Sequence, residues 1–135
     1  EQASDCVCTA LQLTNFWQDF AIDWRRGRLY VPADVHARLR AQEADLAAGA
    51  FTPQWREALR ESSRRPRALF AAGRAVGDLV PGRLGLELRL TWLGGLRILD
   101  RIEAAGQDTW STRPALREAG VPALLWQALR WPKAV

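Results

Sequence analysis

Apolar residues recur along this chain at the helical spacing, and no stretch alternates as a half-buried strand would. The pattern predicts a first helix from about Ser4 to Trp24, stopped by Arg25-Arg26-Gly27, because basic residues followed by glycine favour a helix C-terminus. Arg28-Leu-Tyr30-Val-Pro32 then reads as an extended exit, and Ala33–Arg40 as a short helix. Thr52-Pro53 has the form of an N-cap followed by proline in the first turn, opening a long helix to about Leu79. Pro66 lies inside that helix and is expected to kink or split it. Val80-Pro81-Gly82 is a turn. Leu84 to Ala105 is a strongly apolar helix, in which Gly94-Gly95 either weakens the helix or permits close backbone approach. Gly106 ends it, Gln107–Arg113 is a loop, and Pro114–Trp131 forms one or two final helices broken near Gly120–Pro122. The predicted fold class is all-α, with no repeat, linker or low-complexity tract.

Composition changes this picture little. At 135 residues, 48% hydrophobic and 25% charged, the chain can bury a real core. No apolar run approaches membrane-spanning length and no signal-peptide pattern opens the chain. The complete absence of methionine predicts a part of a longer protein, with N-terminal processing as the competing explanation. The net charge of +4 comes almost wholly from arginine, Lys133 being the single lysine. Those arginines are dispersed among acids, which argues against a nucleic-acid stripe but leaves diphosphates and an anionic membrane surface as partners. Cys6 and Cys8 stand two apart and form no disulfide framework. With only His36 beside them they lack the ligands for zinc, so they read as small, semi-buried side chains in a reducing cytoplasm. His36 reads as a surface residue.

One segment changes the picture more. Gln12, Asn15, Asp19 and Asp23 follow at spacings of three, four and four, within an arc of about 80° on one helix face. Leu11, Leu13, Phe16, Trp17, Phe20, Ile22 and Trp24 flank it. A carboxylate row between apolar shoulders is costly to bury unless something positive neutralises it. A hard cation such as Mg²⁺ that shares its coordination with a phosphate would do so. The alternative is a solvated face, since two Asp residues one turn apart are common on exposed helices. Arg25, Arg26 and Arg28 either complement the helix C-terminus or clamp a diphosphate. Tyr30 is either a hydrogen-bonding pocket residue or packing, with packing the simpler reading. The seven tryptophans are mostly core anchors; Trp17 and Phe16 lie nearest the stripe, where a ring face can stabilise a carbocation.

With these residues in view, the chain resembles the C-terminal half of a squalene/phytoene synthase family protein. The family's second aspartate motif, Gln-x-x-Asn-x-x-x-Asp-x-x-x-Asp followed by Arg-Gly-Arg-x-Tyr-x-Pro, is matched by Gln12, Asn15, Asp19, Asp23 and then Arg26-Gly27-Arg28-Leu29-Tyr30-Val31-Pro32. The likeness continues through Trp55, Arg64–Arg67, Ile98–Glu103 and Arg113. Within the family, Asn15-Phe16-Trp17-Gln18-Asp19 with Asp23-Trp24 is similar to the hopanoid-pathway hydroxysqualene synthases. Phytoene and presqualene diphosphate synthases more often carry an arginine where Gln18 stands and a glutamate where Ile22 stands. Pro66 departs from the family pattern.

The resemblance implies an all-α isoprenoid-synthase bundle in which two aspartate-rich helices face each other across a cavity. It implies Mg²⁺ on Asp19 and Asp23. Gln12, Asn15 and Arg28 would meet the substrate diphosphate, while Phe16 and Tyr30 would belong to the substrate wall. The implied reaction ionises presqualene diphosphate, rearranges the cation and adds water to give hydroxysqualene. The first aspartate-rich motif is absent from these residues, so this portion alone is expected to be inactive. A head-to-head prenyltransferase joining two farnesyl or geranylgeranyl diphosphates is the nearest alternative, and a non-catalytic helical interaction protein is an alternative of another class. Peripheral contact with the inner membrane and with pathway enzymes is compatible with long hydrocarbon substrates.

Overall fold

The computed structural model describes residues 1–132, and every regular element among them is helical. In chain order these are α1 (Gln2–Gln18), α2 (Phe20–Arg25), α3 (Ala33–Arg38), α4 (Glu43–Ala47), α5 (Pro53–Ala72), a 3₁₀ segment (Arg74–Asp78), α6 (Gly82–Ala104), a 3₁₀ turn (Glu118–Gly120) and α7 (Val121–Leu129). The all-α expectation holds. No helix among the described residues is long and apolar enough to cross a membrane.

The long helices α1, α5 and α6 pack together and enclose the core. Trp55, Leu59, Phe70, Leu99 and Ile102 are among its fully buried large side chains. Two of the tryptophans anchor helices through both ends of the ring system, as buried indoles tend to do. Trp55 Nε1 donates to the Gln42 carbonyl at 3.0 Å, and Trp92 Nε1 to the Phe70 carbonyl at 2.7 Å. Gly95 shows why α6 carries its glycine pair. A Cβ there would stand 2.5 Å from Phe70 Cζ and 2.7 Å from Leu11 Cδ2, so only hydrogen lets α6 close on α5 and α1.

The structure corrects several sequence expectations. The helix expected over Ser4–Trp24 is interrupted at Asp19, giving α1 and α2. The helix from Thr52, whose Oγ1 accepts the Trp55 N–H at 3.5 Å, runs unbroken through Pro66 instead of splitting there. Pro66 is buried, so its ring adds apolar surface to the core where its missing N–H weakens the ladder. The same helix stops at Ala72 rather than Leu79. At Gly73 a Cβ would meet Val7 Cγ2 at 2.6 Å and the Ala3 carbonyl at 2.9 Å, so the chain passes too close to α1 there to carry a side chain. The short helix ends at Arg38, not Arg40; Arg40 adopts a left-handed φ of 56°. The α4 turn has no counterpart in the sequence reading. Residues 114–117 are non-helical, and the last helix begins only at Val121. His36 is half-buried with its ring 5.4 Å from Trp55, and Cys8 is exposed while Cys6 is half-buried.

Candidate metal and diphosphate site

The stripe lies on the outer side of the α1–α2 hinge. Gln12 and Asn15 are exposed on α1, and Asp19 and Asp23 are half-buried beyond them. Asp19 sits at the hinge with φ −97° and ψ 14°. This is a sparsely populated region of backbone space common at functional positions. The hydrogen-bond ladder nevertheless crosses the hinge: the Asp19 N–H donates to Asn15 O at 2.9 Å and the Asp23 N–H to Asp19 O at 2.8 Å. Asn15, Asp19 and Asp23 therefore remain in successive turns although the helix is broken.

The underside of the hinge explains its position. Trp17 and Phe20 are each only 3% exposed. Phe20 packs on Trp55 at 5.8 Å and on Trp110 at 6.1 Å between ring centres. The neighbouring Gln18 is buried, and its Nε2 donates to the Pro114 carbonyl at 2.5 Å. The core thus holds residues 17, 18 and 20 from below and leaves 15, 19 and 23 facing outward. After α2, Gly27 takes φ +75°, and the N–H groups of Arg26 and Arg28 return to the Asp23 carbonyl at 3.0 and 2.8 Å. This glycine cap turns the chain back along the stripe. Tyr30 consequently lies flat on Phe16, with ring centres 3.8 Å apart and planes 5° apart. That stacking agrees with the packing reading of Tyr30, and the pair forms an aromatic shoulder beside Asn15.

Arg113 carries the main positive charge into the site. Its Nε donates to Asp19 Oδ1 at 2.5 Å, a charge-assisted bond. The sequence placed Arg113 at a loop end and in the family likeness, but no spacing rule links residues so far apart. Arg25, Arg26 and Arg28 make no ion pair among the described residues. Beside the hinge, Ala21, Ile22, Arg25, Thr109, Trp110 and Arg113 line a cleft of about 230 Å³ with Gln18 and Ser111. Arg113 also opens onto a second cleft of about 490 Å³ that it shares with Arg101 and Arg117.

The donor set suits a hard cation. It offers carboxylate and amide oxygens on one face, without sulfur or imidazole. No group of three or more His, Cys, Asp or Glu side chains capable of holding a metal occurs among the described residues. Two carboxylates are nonetheless what Mg²⁺ takes from protein where substrate phosphates complete its shell. Asp19–Asp23 is the only Asp-x-x-x-Asp pair in the chain. Asp19 and Asp23 fit such a two-carboxylate set.

Comparison with known proteins agrees with this architecture. The pattern of the squalene/phytoene synthase family matches residues 1–120. The chain is 34% identical over 127 residues to a phytoene synthase of Thermus thermophilus, covering 93% of this chain and 41% of that protein. It is 35% identical over 109 residues to a phytoene synthase of Arthrospira platensis, covering 77% of this chain and 34% of the relative. A chloroplastic phytoene synthase 2 of Oryza sativa is 34% identical over 111 residues, covering 82% of this chain and 28% of the relative. No solved structure matches. The chain therefore spans well under half the length of these relatives. With its motif face, its all-α core and this similarity along nearly its whole length, the chain belongs to the squalene/phytoene synthase family.

Proposed function

We propose that this chain supplies one wall of an enzyme that ionises an isoprenoid diphosphate, with Asp19 and Asp23 as the metal-binding carboxylates. The observation that carries the reading is the outward row Asn15–Asp19–Asp23, kept in register across the hinge, beside an aromatic shoulder and the Arg113 guanidinium. Mg²⁺, when bound there, supplies Lewis-acid stabilisation of the charge that develops on the departing diphosphate.

The residues of the chain do the remaining work. The Gln12 and Asn15 side-chain amides donate to diphosphate oxygens, and Arg28 adds a cation at the turn. As the C–O bond breaks, its electron pair leaves with the diphosphate. The Phe16–Tyr30 stack presents one outer π-face to the cation left behind. Arg113 holds Asp19 in place and keeps a guanidinium within reach of the leaving group.

The specific reaction proposed is conversion of presqualene diphosphate and water to hydroxysqualene and diphosphate. The cyclopropylcarbinyl cation rearranges, water adds, and a proton is lost to solvent. Support comes from Gln18 and Ile22, which stand where phytoene and presqualene diphosphate synthases more often have arginine and glutamate. Gln18 is committed to the Pro114 carbonyl, and Ile22 lines the cleft beside the hinge. A cleft with one carboxylate fewer beside the hinge suits loss of a single diphosphate per turnover. A second reading, head-to-head coupling of two prenyl diphosphates, is favoured by the names of the relatives.

The test uses the complete gene product with Mg²⁺ and, separately, farnesyl, geranylgeranyl and presqualene diphosphates. An alcohol made only from presqualene diphosphate, with oxygen derived from labelled water, is the expected result. A C30 or C40 product from a prenyl diphosphate alone would replace the first reading by the second. A protein in which Asp19→Asn changes neither Mg²⁺ binding nor turnover would be a non-catalytic helical partner instead.

A further inference from the structure

Asp19 is gripped by a residue from a loop. The chain between α6 and the 3₁₀ turn at Glu118 carries no helix. Its first part is fixed by the Asp108 carboxylate, which accepts from the Ser111 N–H at 3.0 Å and from Arg56 at 3.5 Å. Trp110 packs against two rings, with centres 6.1 Å from Phe20 and 6.0 Å from Phe51. Arg113 lies beyond these anchors, and its side chain is 49% exposed. An ion pair as exposed as Arg113–Asp19 does not by itself hold two side chains in one geometry, because water screens it and the ordering costs entropy.

The next residue supplies the constraint. Pro114 is buried, and its carbonyl accepts from Gln18 Nε2 at 2.5 Å. Gln18 is itself only 7% exposed. A bond between a buried amide and a buried carbonyl is costly to break, since both groups would be left without a partner. Pro114 also fixes its own φ and restricts the backbone of Arg113 to extended conformations. Two adjacent residues of the hinge, Gln18 and Asp19, thus hold two adjacent residues of the loop, Pro114 and Arg113. The core needs no amide at this position, for Trp17 and Phe20 beside it are apolar.

We propose that Gln18 is a positioning residue. Through the Pro114 carbonyl it holds the Arg113 guanidinium on Asp19 Oδ1, and so sets how far that oxygen is open to a cation. The consequence for a cation rests on the metal-binding reading of Asp19; the clasp itself does not.

The test begins without substrate, on the complete gene product carrying isotope-labelled arginine. The Arg113 Nε–H resonance is identified by its loss in Arg113→Ala. Gln18→Met keeps the length of the side chain but has no donor. It should speed exchange of the Arg113 Nε proton with water by about two- to tenfold, the scale of one buried hydrogen bond. Gln18→Asn, which keeps the amide but draws it back by one methylene, should do the same and serves if the methionine variant does not fold. Turnover supplies the second readout. The Mg²⁺ concentration for half-maximal rate should fall by up to about fivefold in either variant, as in Arg113→Ala. In the Arg113→Ala background a change at Gln18 should shift it no further, because both changes act through one contact.

Unchanged exchange of the Arg113 Nε proton in the variants overturns the proposal. So does a shift in Mg²⁺ requirement that adds to that of Arg113→Ala, since Gln18 would then act without Arg113. Faster exchange in a protein whose turnover needs no Mg²⁺ upholds the clasp and removes the metal reading of Asp19 instead.

Discussion

Arg113 reaches across 94 residues of sequence to donate its Nε–H to Asp19 Oδ1 at 2.5 Å, tying the loop after α6 to the hinge between α1 and α2. The pair is half-exposed, so it contributes no more than about 1 kcal/mol to stability. Its consequence is for ligand binding, because the oxygen it occupies is one that a cation would use.

Replacing Arg113 separates these roles. In the complete gene product, Arg113→Ala should leave the melting temperature within about 4 °C of the parent. The Mg²⁺ concentration for half-maximal turnover should fall by up to about fivefold, matching release of a ~1 kcal/mol competitor. Maximal turnover should drop, because a cation near the leaving group is lost. An unchanged or higher metal requirement would show that Arg113 does not compete for Asp19.

The carboxylates themselves are expected to matter far more. Asp19→Asn and Asp23→Asn should each lower kcat by at least about 10²–10³-fold, the usual scale for one electrostatic group at a reacting centre. Neither side chain belongs to the core, so circular dichroism spectra and melting curves should be preserved. Turnover close to that of the parent in both variants would remove the metal face from the mechanism.

The glycine pair in α6 gives a test of packing. Gly95→Ala places a Cβ 2.5 Å from the ring of fully buried Phe70 and should destabilise by about 1–3 kcal/mol, less the helix propensity it gains. Gly94→Ala meets only Leu116 Cδ1 at 3.4 Å and should be neutral or stabilising by up to ~1 kcal/mol. Urea unfolding of the two variants checks the contrast. Equal effects would mean that α6 does not approach α5 and α1 as described.

Acid should loosen the loop that carries Arg113. Burial pushes the Asp108 carboxyl up, but the Ser111 N–H and hydroxyl and the Arg56 guanidinium outweigh it and hold the group below its ordinary 3.8. The Ser111 N–H lies 3.0 Å from Asp108 Oδ1, and Arg56 also donates to the Gly106 carbonyl at 3.2 Å. A folded-state pKa below the unfolded one means that the unfolded chain binds more protons in between, so stability rises with pH there. The contribution is complete above pH 3.8 and is lost as the pH falls through the lower, folded value. Urea titrations against pH should show the parent's advantage over Asp108→Asn shrinking below that point. A constant difference would mean that Asp108 is not stabilised as an anion.

Local pattern alone determined the helical class, the glycine cap after α2, the threonine cap of α5 and the co-facial row Gln12, Asn15, Asp19, Asp23. All of these depend on residues within a few positions of one another, where helix geometry fixes distance. Only the tertiary structure decided the break at Asp19, the continuity of α5 through Pro66 and its early stop at Gly73. Each is set by what another helix presses against the backbone at that point: the core beneath Trp17 and Phe20, the burial of the Pro66 ring, the approach of Ala3 and Val7. The same holds for Arg113 on Asp19 and Gln18 on Pro114, contacts across nearly a hundred residues whose partners no periodicity can name. Helical repeat carries information over a turn or two; long-range contacts depend on how whole helices close on one another.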